Sequence, residues 1–498
     1  MLAQLTSFAT VGITARRINV EIGAPPGDGR MIIVGLGDTA VKESEQRVRL
    51  ALRSSGYRFP TGRRITVNLA PASLRKAGPR YDLPIAAGLL LISGSLTIDP
   101  ERLSSVAFMG ELALDGSVRH VAGVLPAAVA CRDLGIRTLV VPLADGPEAA
   151  LISGIEIIGV GHLRDIVDIF SGEQSAPVIV AASLKDPMEV ASTDFADIRG
   201  QYAAKRALEI AAAGGHNVLM NGAPGAGKTL LARALRGILP PMSTEEAIEV
   251  MRIYSVANML PEDSPLIAQR PFRVVHHTAS AVSIVGGGQM PGPGEISLAH
   301  RGVLFLDEIA EFPPAVLDVL RQPLEDRTIT ITRAQGSITF PADFTLIAAM
   351  NPPDAGHPDQ RRKRISAPLL DRIDLTIPVD SVSIADLQGA RPHNAETSAM
   401  IRQRVIAARA LQLKRFGKEM PISNAAMDVR QIDQLCQLSR PCASLLCQAA
   451  DKLRLSARAY HRTIKVARTI ADLSGSEVID ISHIAEALQY RQNTTEGI

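Results

Sequence analysis

Over residues 1 to about 170, short apolar runs alternate with longer segments of helical period. RITVNLA (64–70) and TLVVP (138–142) read as strands. TAVKESEQRVRLALRSSG (39–56) reads as a helix, with Glu43 and Arg47 one turn apart and Gly56 as its stop. LPIAAGLLLISGSLTI (83–98) is uncharged but falls short of a roughly 20-residue membrane span and contains Pro, Gly and Ser, so it reads as a buried helix. SGEQSAPVIVAASLKDPMEVAS (171–192) loses helical period and gains small and polar residues, as a linker does. From about 194 a second α/β pattern begins, with strands expected at NVLM (217–220), VLFLD (303–307) and FTLIAAM (344–350). Past about 381 the pattern is helical to the end. In LSARAYHRTIKVARTIADL (455–473) and just ahead of it, Leu453, Ala457, Tyr460, Ile464, Ala467 and Ala471 step by four and three into one apolar face. Arg458, Arg462 and Lys465 line a different face, open to solvent or to a phosphate.

The chain has 498 residues, 46% of them hydrophobic, which is enough for two or three domains with separate cores. A net charge of +2 confines any nucleic-acid contact to local basic patches. Aromatics at 3%, with no Trp, disfavour a stacking platform for single strands. Cys131, Cys436, Cys442 and Cys447 form no CxxC pair and have no His at ligand spacing, so neither zinc nor disulfides are expected. The N-terminus lacks a basic start followed by an apolar core; no membrane association is expected, and the reading is a cytoplasmic protein.

Chemistry concentrates in the second α/β segment. NVLM runs into Gly222-Ala223-Pro224-Gly225-Ala226-Gly227-Lys228-Thr229 and then a helical TLLARALRGIL. This is GxxxxGK[ST] between strand and helix, where backbone N–H groups curl round phosphates at a helix N-terminus. Lys228 is placed for the β- and γ-phosphates and Thr229 for Mg²⁺, which implies ATP as ligand. In Val303–Glu308 four apolar residues end in two acids: Asp307 to hold Mg²⁺, Glu308 to polarise water. Asn351, in AAMNPP, either orients water near a γ-phosphate or starts an Asn-Pro turn. Arg372, in SAPLLDRIDL, is either a surface arginine or a finger reaching a neighbouring subunit's nucleotide.

Taken in order, GAPGAGKT, VLFLDE, AAMNP, LLDRID and the basic C-terminal helix resemble AAA+ ATPases of the magnesium-chelatase and MCM-helicase branch. DFADIRGQYAAKRALEIAAAGGHNVLMNGAPGAGKT, GEISLAHRGVLFLDEIAEF and LRQPLEDRTITITRAQGSITFPADFTLIAAMNP look closer still to the ComM/YifB proteins. So does IVGLGDTAVKESEQRVRLAL with ITVNLAPASLRKAGPRYDLPIA near the N-terminus. The resemblance implies an α/β protein in three parts. These are an N-terminal Lon-protease-like (S5-type) domain over 1–172, an AAA+ P-loop ATPase core over 194–380 after a linker at 173–193, and a helical C-terminal lid over 381–498. It further implies a homo-oligomeric ring, usually hexameric, with Asn351 as sensor one, Arg372 as the trans-acting finger and Arg458 as sensor two. The implied activity is ATP-driven branch migration on single-stranded or branched DNA in natural transformation. A chelatase-type motor on a protein partner and an ATP-locked scaffold are the alternatives.

TITITRAQGSITF (328–340) reads as a β-hairpin turning at Gln335-Gly336. By resemblance it points into a pore where Arg333 meets DNA phosphate; otherwise it is a surface loop. VGGGQMPGPGEISLAH (285–300) reads as a mobile loop rather than core, resembling a second pore insert. In the Lon-like part, Arg80 stands where the resemblance would put a nucleophilic Ser, and no Lys occurs between 77 and 184, so no peptidase activity is expected. Arg63, Arg64, Arg75, Lys76 and Arg80 form a basic cluster suited to ring assembly or DNA. Where many relatives carry a cysteine-rich insert, this chain has only His357 and the run Arg361, Arg362, Lys363 and Arg364, so no metal is expected there.

Overall fold

The computed structural model describes residues 2–181, 193–260, 267, 269–288, 291–333, 336–352, 365–381, 395–417 and 423–496. The chain divides into two compact units, Met1–Lys185 with Thr244–Ile267, and Asp186–Ser243 with Ala268–Ile498. Of the linker read at 173–193, residues 182–192 lie outside the described residues.

The first unit is built on a seven-stranded mixed sheet. Its strands are β1 (Leu2–Val11), β2 (Thr14–Gly23), β3 (Met31–Val34), β4 (Ile65–Ala70), β5 (Val106–Phe108), β8 (Thr138–Pro142) and β9 (Glu156–Val160). β6 (Glu111–Leu112) and β7 (Val118–Arg119) pair separately. The order is β3-β4-β2-β1-β5-β8-β9; β2 lies antiparallel to β1 and β4, and the other neighbours run parallel. The uncharged segment at 83–98 supplies the helix Asp82–Ser93, whose side chains from Asp82 to Leu90 are all buried. The helix Thr39–Ser54 starts at Asp38, which caps the Val41 amide. Its Arg47 sits 3.6 Å from Glu43 but grips the fully buried Asp82 more closely, through Nε at 2.7 Å and Nη2 at 3.2 Å. Burying a carboxylate is costly without such a partner.

Thr244–Ile267, inside the segment read as ATPase core, groups with this first unit. The helix Thr244–Val256 buries Ala247, Val250, Met251 and Ile253 and packs on the helix Val124–Asp133. Arg252 donates to the Ile13 carbonyl at 2.9 Å, and His120 Nε2 lies 2.7 Å from Asn258 Oδ1.

The second unit carries a five-stranded parallel sheet in the order β11-β14-β17-β10-β18. The strands are β10 (Val218–Asn221), β11 (Phe272–Val275), β14 (Val303–Leu306), β17 (Thr345–Met350) and β18 (Leu375–Pro378). β14 is buried along its whole length, as a central parallel strand requires. The C-terminal segment is helical, with helices Ser398–Phe416, Arg440–Leu453, Ala457–Leu473 and Ile481–Glu496, and it shares one hydrophobic core with the sheet.

Two expectations need correction. In Ala457–Leu473 the helix is enclosed on nearly all sides from Thr463 to Asp472, while Ala457 is exposed. A buried ion pair, Arg468 with Asp472, makes that enclosure possible. Segment 285–300 is also partly core. β12 (Gly286–Gly287) pairs with β13 (Gly292–Pro293), and Ile296, Leu298 and Ala299 are buried. The glycines serve close approach there, since a Cβ on Gly294 would stand 2.3 Å from the Gly286 nitrogen. Residues 289–290 lie outside the described residues. The two strands of the hairpin form as read, β15 (Thr328–Arg333) against β16 (Gly336–Pro341), with Arg333 opposite Gly336; Gln335, where the turn was read, lies outside the described residues.

Two groups make the first unit sensitive to pH. His120 is raised to about 9, chiefly by its hydrogen bond to Asp145, and burial pushes Glu148 up to about 7. A raised histidine stabilises fully below its unfolded value near 6.5, and that contribution disappears as pH climbs through about 9. Glu148 acts in the same sense between about 4.5 and 7. The expected result is a melting midpoint that falls from pH 6.5 to 9, with the His120→Ala protein lacking the part of that slope due to this pair. His120 is half-exposed, so screening holds the effect to about 1 kcal/mol or less. Scanning calorimetry of both proteins across that range is the check; parallel profiles would remove the assignment.

Candidate nucleotide site

β10 ends at Asn221, Gly222–Gly227 turn, and the helix Lys228–Ile238 begins. Gly225 and Gly227 hold φ of +82° and +93°, which a side chain rarely tolerates. The helix stays against the sheet through Leu231, Ala232, Leu235 and Ile238. Lys228 is buried, and its Nζ donates to the carbonyls of Gly222 at 2.5 Å and Ala223 at 2.9 Å, and to Asn351 Oδ1 at 2.9 Å. Burial holds its pKa below the ordinary lysine value, against the opposing charges of Asp307 and Glu308. An anion placed at this ammonium would relieve that cost, so the cradle fits phosphate.

Thr229 Oγ1 donates to Asp307 Oδ2 at 3.1 Å, and the Glu308 amide donates to Asp307 Oδ1 at 3.1 Å. A hydroxyl and a carboxylate side by side suit a hard cation such as Mg²⁺. Glu308 sits in the left-handed region at φ +53°, an uncommon conformation that costs free energy and gathers at functional sites. Its Oε2 lies 3.4 Å from His277 Nδ1. Lys228, Thr229, Asp307, Glu308 and Asn351 therefore meet at the carboxyl ends of adjacent parallel strands, where such sheets bind ligands.

Arg372 is not a surface arginine. It is 6% exposed, donates to the Pro368 carbonyl at 2.5 Å and pairs with Glu325 at 2.6 Å. It precedes β18, which runs parallel to β10 with Val218 opposite Leu375. Its own carbonyl accepts from Asn217 Nδ2, just ahead of β10. Arg372 thus stands at the amino ends of the strands, and the phosphate loop at their carboxyl ends. Four residues of strand separate the two ends by about 13 Å. Arg458, 60% exposed, reaches the same Glu325 at 3.4 Å, so the two arginines share one partner.

The other basic residues of that C-terminal helix do not form a solvated face. Arg462 donates to Asp374 Oδ1 and to the Arg372 carbonyl, both at 2.7 Å, and Lys465 donates to the Ala425 carbonyl at 3.0 Å. Arg333 closes strand β15, and its side chain lies outside the described residues, as do His357 and Arg361–Arg364. In the first unit, Arg80 donates to Thr10 Oγ1 at 3.2 Å. Lys76 is fully buried on the Pro71 carbonyl, which takes it out of the basic cluster as a surface charge. Cys131, Cys436 and Cys442 are buried free thiols, while Cys447 is exposed. Among the described residues no helix is long and apolar enough to cross a membrane.

A five-stranded parallel sheet in this order, with a phosphate loop after one strand and paired acids after another, defines an AAA+ fold of the magnesium-chelatase type. The family model "Magnesium chelatase, subunit ChlI" matches residues 194–387. "Subunit ChlI of Mg-chelatase" matches 20–145, and "Magnesium chelatase, subunit ChlI C-terminal" matches 395–491. Competence protein ComM of Haemophilus influenzae is 44% identical over 98% of this chain and 97% of its own. The YifB protein of Escherichia coli K12 is 42% identical over 97% and 96%. Lon protease 2 of Bacillus subtilis is 32% identical over 30% of this chain and 29% of its own. The chain belongs to the ComM/YifB family of magnesium-chelatase-like proteins. That family implies the use of ATP and Mg²⁺.

Sequence reasoning missed His276, His277, Glu325, Asn217 and Asp374. The His pair follows FRVV, a strand too short and too polar to stand out; Asp374 lies inside DRIDL, beside the arginine that drew attention. Asp374 is buried and accepts from Arg462 and from the Asn217 amide at 2.9 Å. Replacing Asp374 by Ala strands that arginine and should lower the unfolding free energy by about 3–5 kcal/mol. Burial opposes its charge, but Arg462, His216 and Arg491 hold its carboxyl below the usual range. Its stabilisation is therefore present above the unfolded value near 3.9 and lost as pH falls below it. Urea unfolding at pH 7 and pH 3 should show a large gap between wild type and variant at the first pH and a smaller one at the second.

Proposed function

We propose that this protein hydrolyses ATP at the seams of a ring of its own copies, hexameric by family resemblance, and drives branch migration of single-stranded or branched DNA during natural transformation. The observation that carries the ring is the opposed placement of Lys228 and Arg372 along one sheet. No arginine side chain spans from one end of the sheet to the other, so Arg372 serves a nucleotide held by another copy. Arg458, sharing Glu325 with it, serves the same neighbouring nucleotide as sensor two.

In this reading Lys228 binds the β- and γ-phosphates, and Thr229 with Asp307 holds Mg²⁺. The ion, when bound, neutralises charge on the phosphoryl oxygens. Glu308 polarises the attacking water, Asn351 orients it, and Arg372 of the adjoining copy leaves Glu325 to stabilise the transferred phosphoryl group. The hairpin Thr328–Pro341 carries Arg333 towards DNA phosphate. The first unit assists assembly or DNA guidance and cleaves no peptide. The name of the Haemophilus relative supports a place in competence.

Purified protein should turn over ATP faster when forked or single-stranded DNA is added, with DNA affinity falling steeply as salt rises. Arg372→Ala should still bind nucleotide while losing about 10³-fold in turnover. Mixing Arg372→Ala with Lys228→Ala, each inactive alone, should restore part of the activity, because some seams regain one intact half from each copy. Full-rate hydrolysis by Arg372→Ala, or by a species that sediments as a monomer with ATP and DNA present, defeats this reading. Glu308→Gln should trap ATP and abolish junction migration; migration at the wild-type rate would mark an ATP-bound scaffold instead.

A further inference from the structure

β11 lies beside β14, and its carboxyl end delivers His276 and His277 next to Glu308. One donor atom from each of the three lies within 4.8 Å of the others. His277 Nδ1 is buried without a hydrogen-bond partner, 3.4 Å from Glu308 Oε2. That nitrogen makes no hydrogen bond within the protein, and native structures rarely keep a buried polar atom so without a reason. Two ligands about 2.1 Å from a tetrahedral zinc ion stand about 3.4 Å apart, which is the separation found here. The remaining contacts prepare the ligands. Phe312 meets the His277 ring edge-on at 6.5 Å, and His276 Nδ1 lies 3.0 Å from Thr278 Oγ1. A ring nitrogen anchored in that way leaves the other free to ligate. His276 is exposed, so an ion from solvent can reach it.

We propose that His276, His277 and Glu308 form a site for a borderline transition-metal dication, Zn²⁺ in particular, that switches off the nucleotide site beside it. Two imidazoles and one carboxylate select zinc or cobalt over Mg²⁺, which takes oxygen ligands. Three protein ligands leave a position open to water. The expectation of no zinc rested on the cysteines and on the missing insert, and this set uses neither. The inhibitory half rests on the reading of Glu308 as the residue that polarises water: a carboxylate bound to zinc is no longer available for that task.

The test uses the full chain carrying Cys447→Ser, which removes the exposed thiol as a competing ligand. Co²⁺ is titrated in excess Mg²⁺ and followed by its visible d–d absorption. The expected result is a saturable band that Zn²⁺ displaces and Mg²⁺ does not. His276→Ala and His277→Ala should each weaken the affinity by at least about tenfold, the scale of losing even an outer-sphere partner. His277→Gln, which keeps a polar side chain of similar reach, guards against misfolding and should show the same loss with an unchanged circular dichroism spectrum. A band of equal affinity in the histidine variants, or no band, overturns the site. ATP turnover is then measured with increasing Zn²⁺, each protein normalised to its own metal-free rate. Inhibition in the parent that shifts by about tenfold or more in the histidine variants supports the switch; Co²⁺ binding with no inhibition by Zn²⁺ overturns it. A band in the parent with no hydrolysis in any protein keeps the metal site and discards the ATPase reading instead.

Discussion

Asp374 has almost no water around it, and its carboxylate is held by Arg462, by the Asn217 amide and by the field of His216 and Arg491. Asn217 extends the knot: its side chain accepts from the Leu346 amide and donates to the Arg372 carbonyl. The amino ends of β10, β17 and β18 are thereby tied at one register, with Val218 opposite both Ile347 and Leu375. Strand register carries along a ladder, and a slip of one residue turns every side chain to the other face. The knot at one end therefore determines how Asn221 and Met350 line up at the other, and with them the phosphate loop and Asn351. The contact between Lys228 and Asn351, 2.9 Å apart, is the far consequence of a buried acid four residues of strand away.

The same geometry splits the chemistry between two ends of one sheet. The carboxyl ends hold groups suited to phosphate and a cation; the amino ends hold Arg372 and Arg458 on Glu325. An isolated copy keeps its arginines compensated by its own acid, which removes the cost of a buried guanidinium while no phosphate is at hand. Assembly would offer those arginines an anion of higher charge. Exchange of one anionic partner for another is a small net change in free energy, which would suit the proposed contact between copies.

Much of the layer around the phosphate loop was legible in the sequence because each element carries two signals at once. Val303–Leu306 is uniformly apolar and then ends in two acids; Val218–Asn221 is apolar and then ends in a glycine loop. A buried parallel strand with chemistry at its exit reads clearly for that reason. β11 and β18 were missed. FRVV leaves Val274 half-exposed at the edge of the sheet, and LTIP is only four residues long, so neither shows a period. Side-chain partnerships were less legible than strands. Glu43 looked like the natural partner of Arg47, yet Asp82, thirty-five residues on, holds it more tightly. Burial decides such competitions, and burial depends on tertiary packing that local spacing does not encode.

The linker at 173–193 suggested a first domain joined to the rest by a single tether. The grouping of Thr244–Ile267 with the first unit means that the chain crosses between units three times, the second crossing soon after the phosphate-loop helix and the third just before β11. A fragment beginning at residue 194 would keep the helix Thr244–Val256 but lose the surface on which Ala247, Val250, Met251 and Ile253 are buried. Exposing four such side chains costs several kcal/mol at about 25 cal/mol per Å². The first unit is thus no detachable appendage. The segment joining the phosphate-loop helix to the strand that presents His276 and His277 is folded into it, and strain arising at either place has a covalent path into that unit.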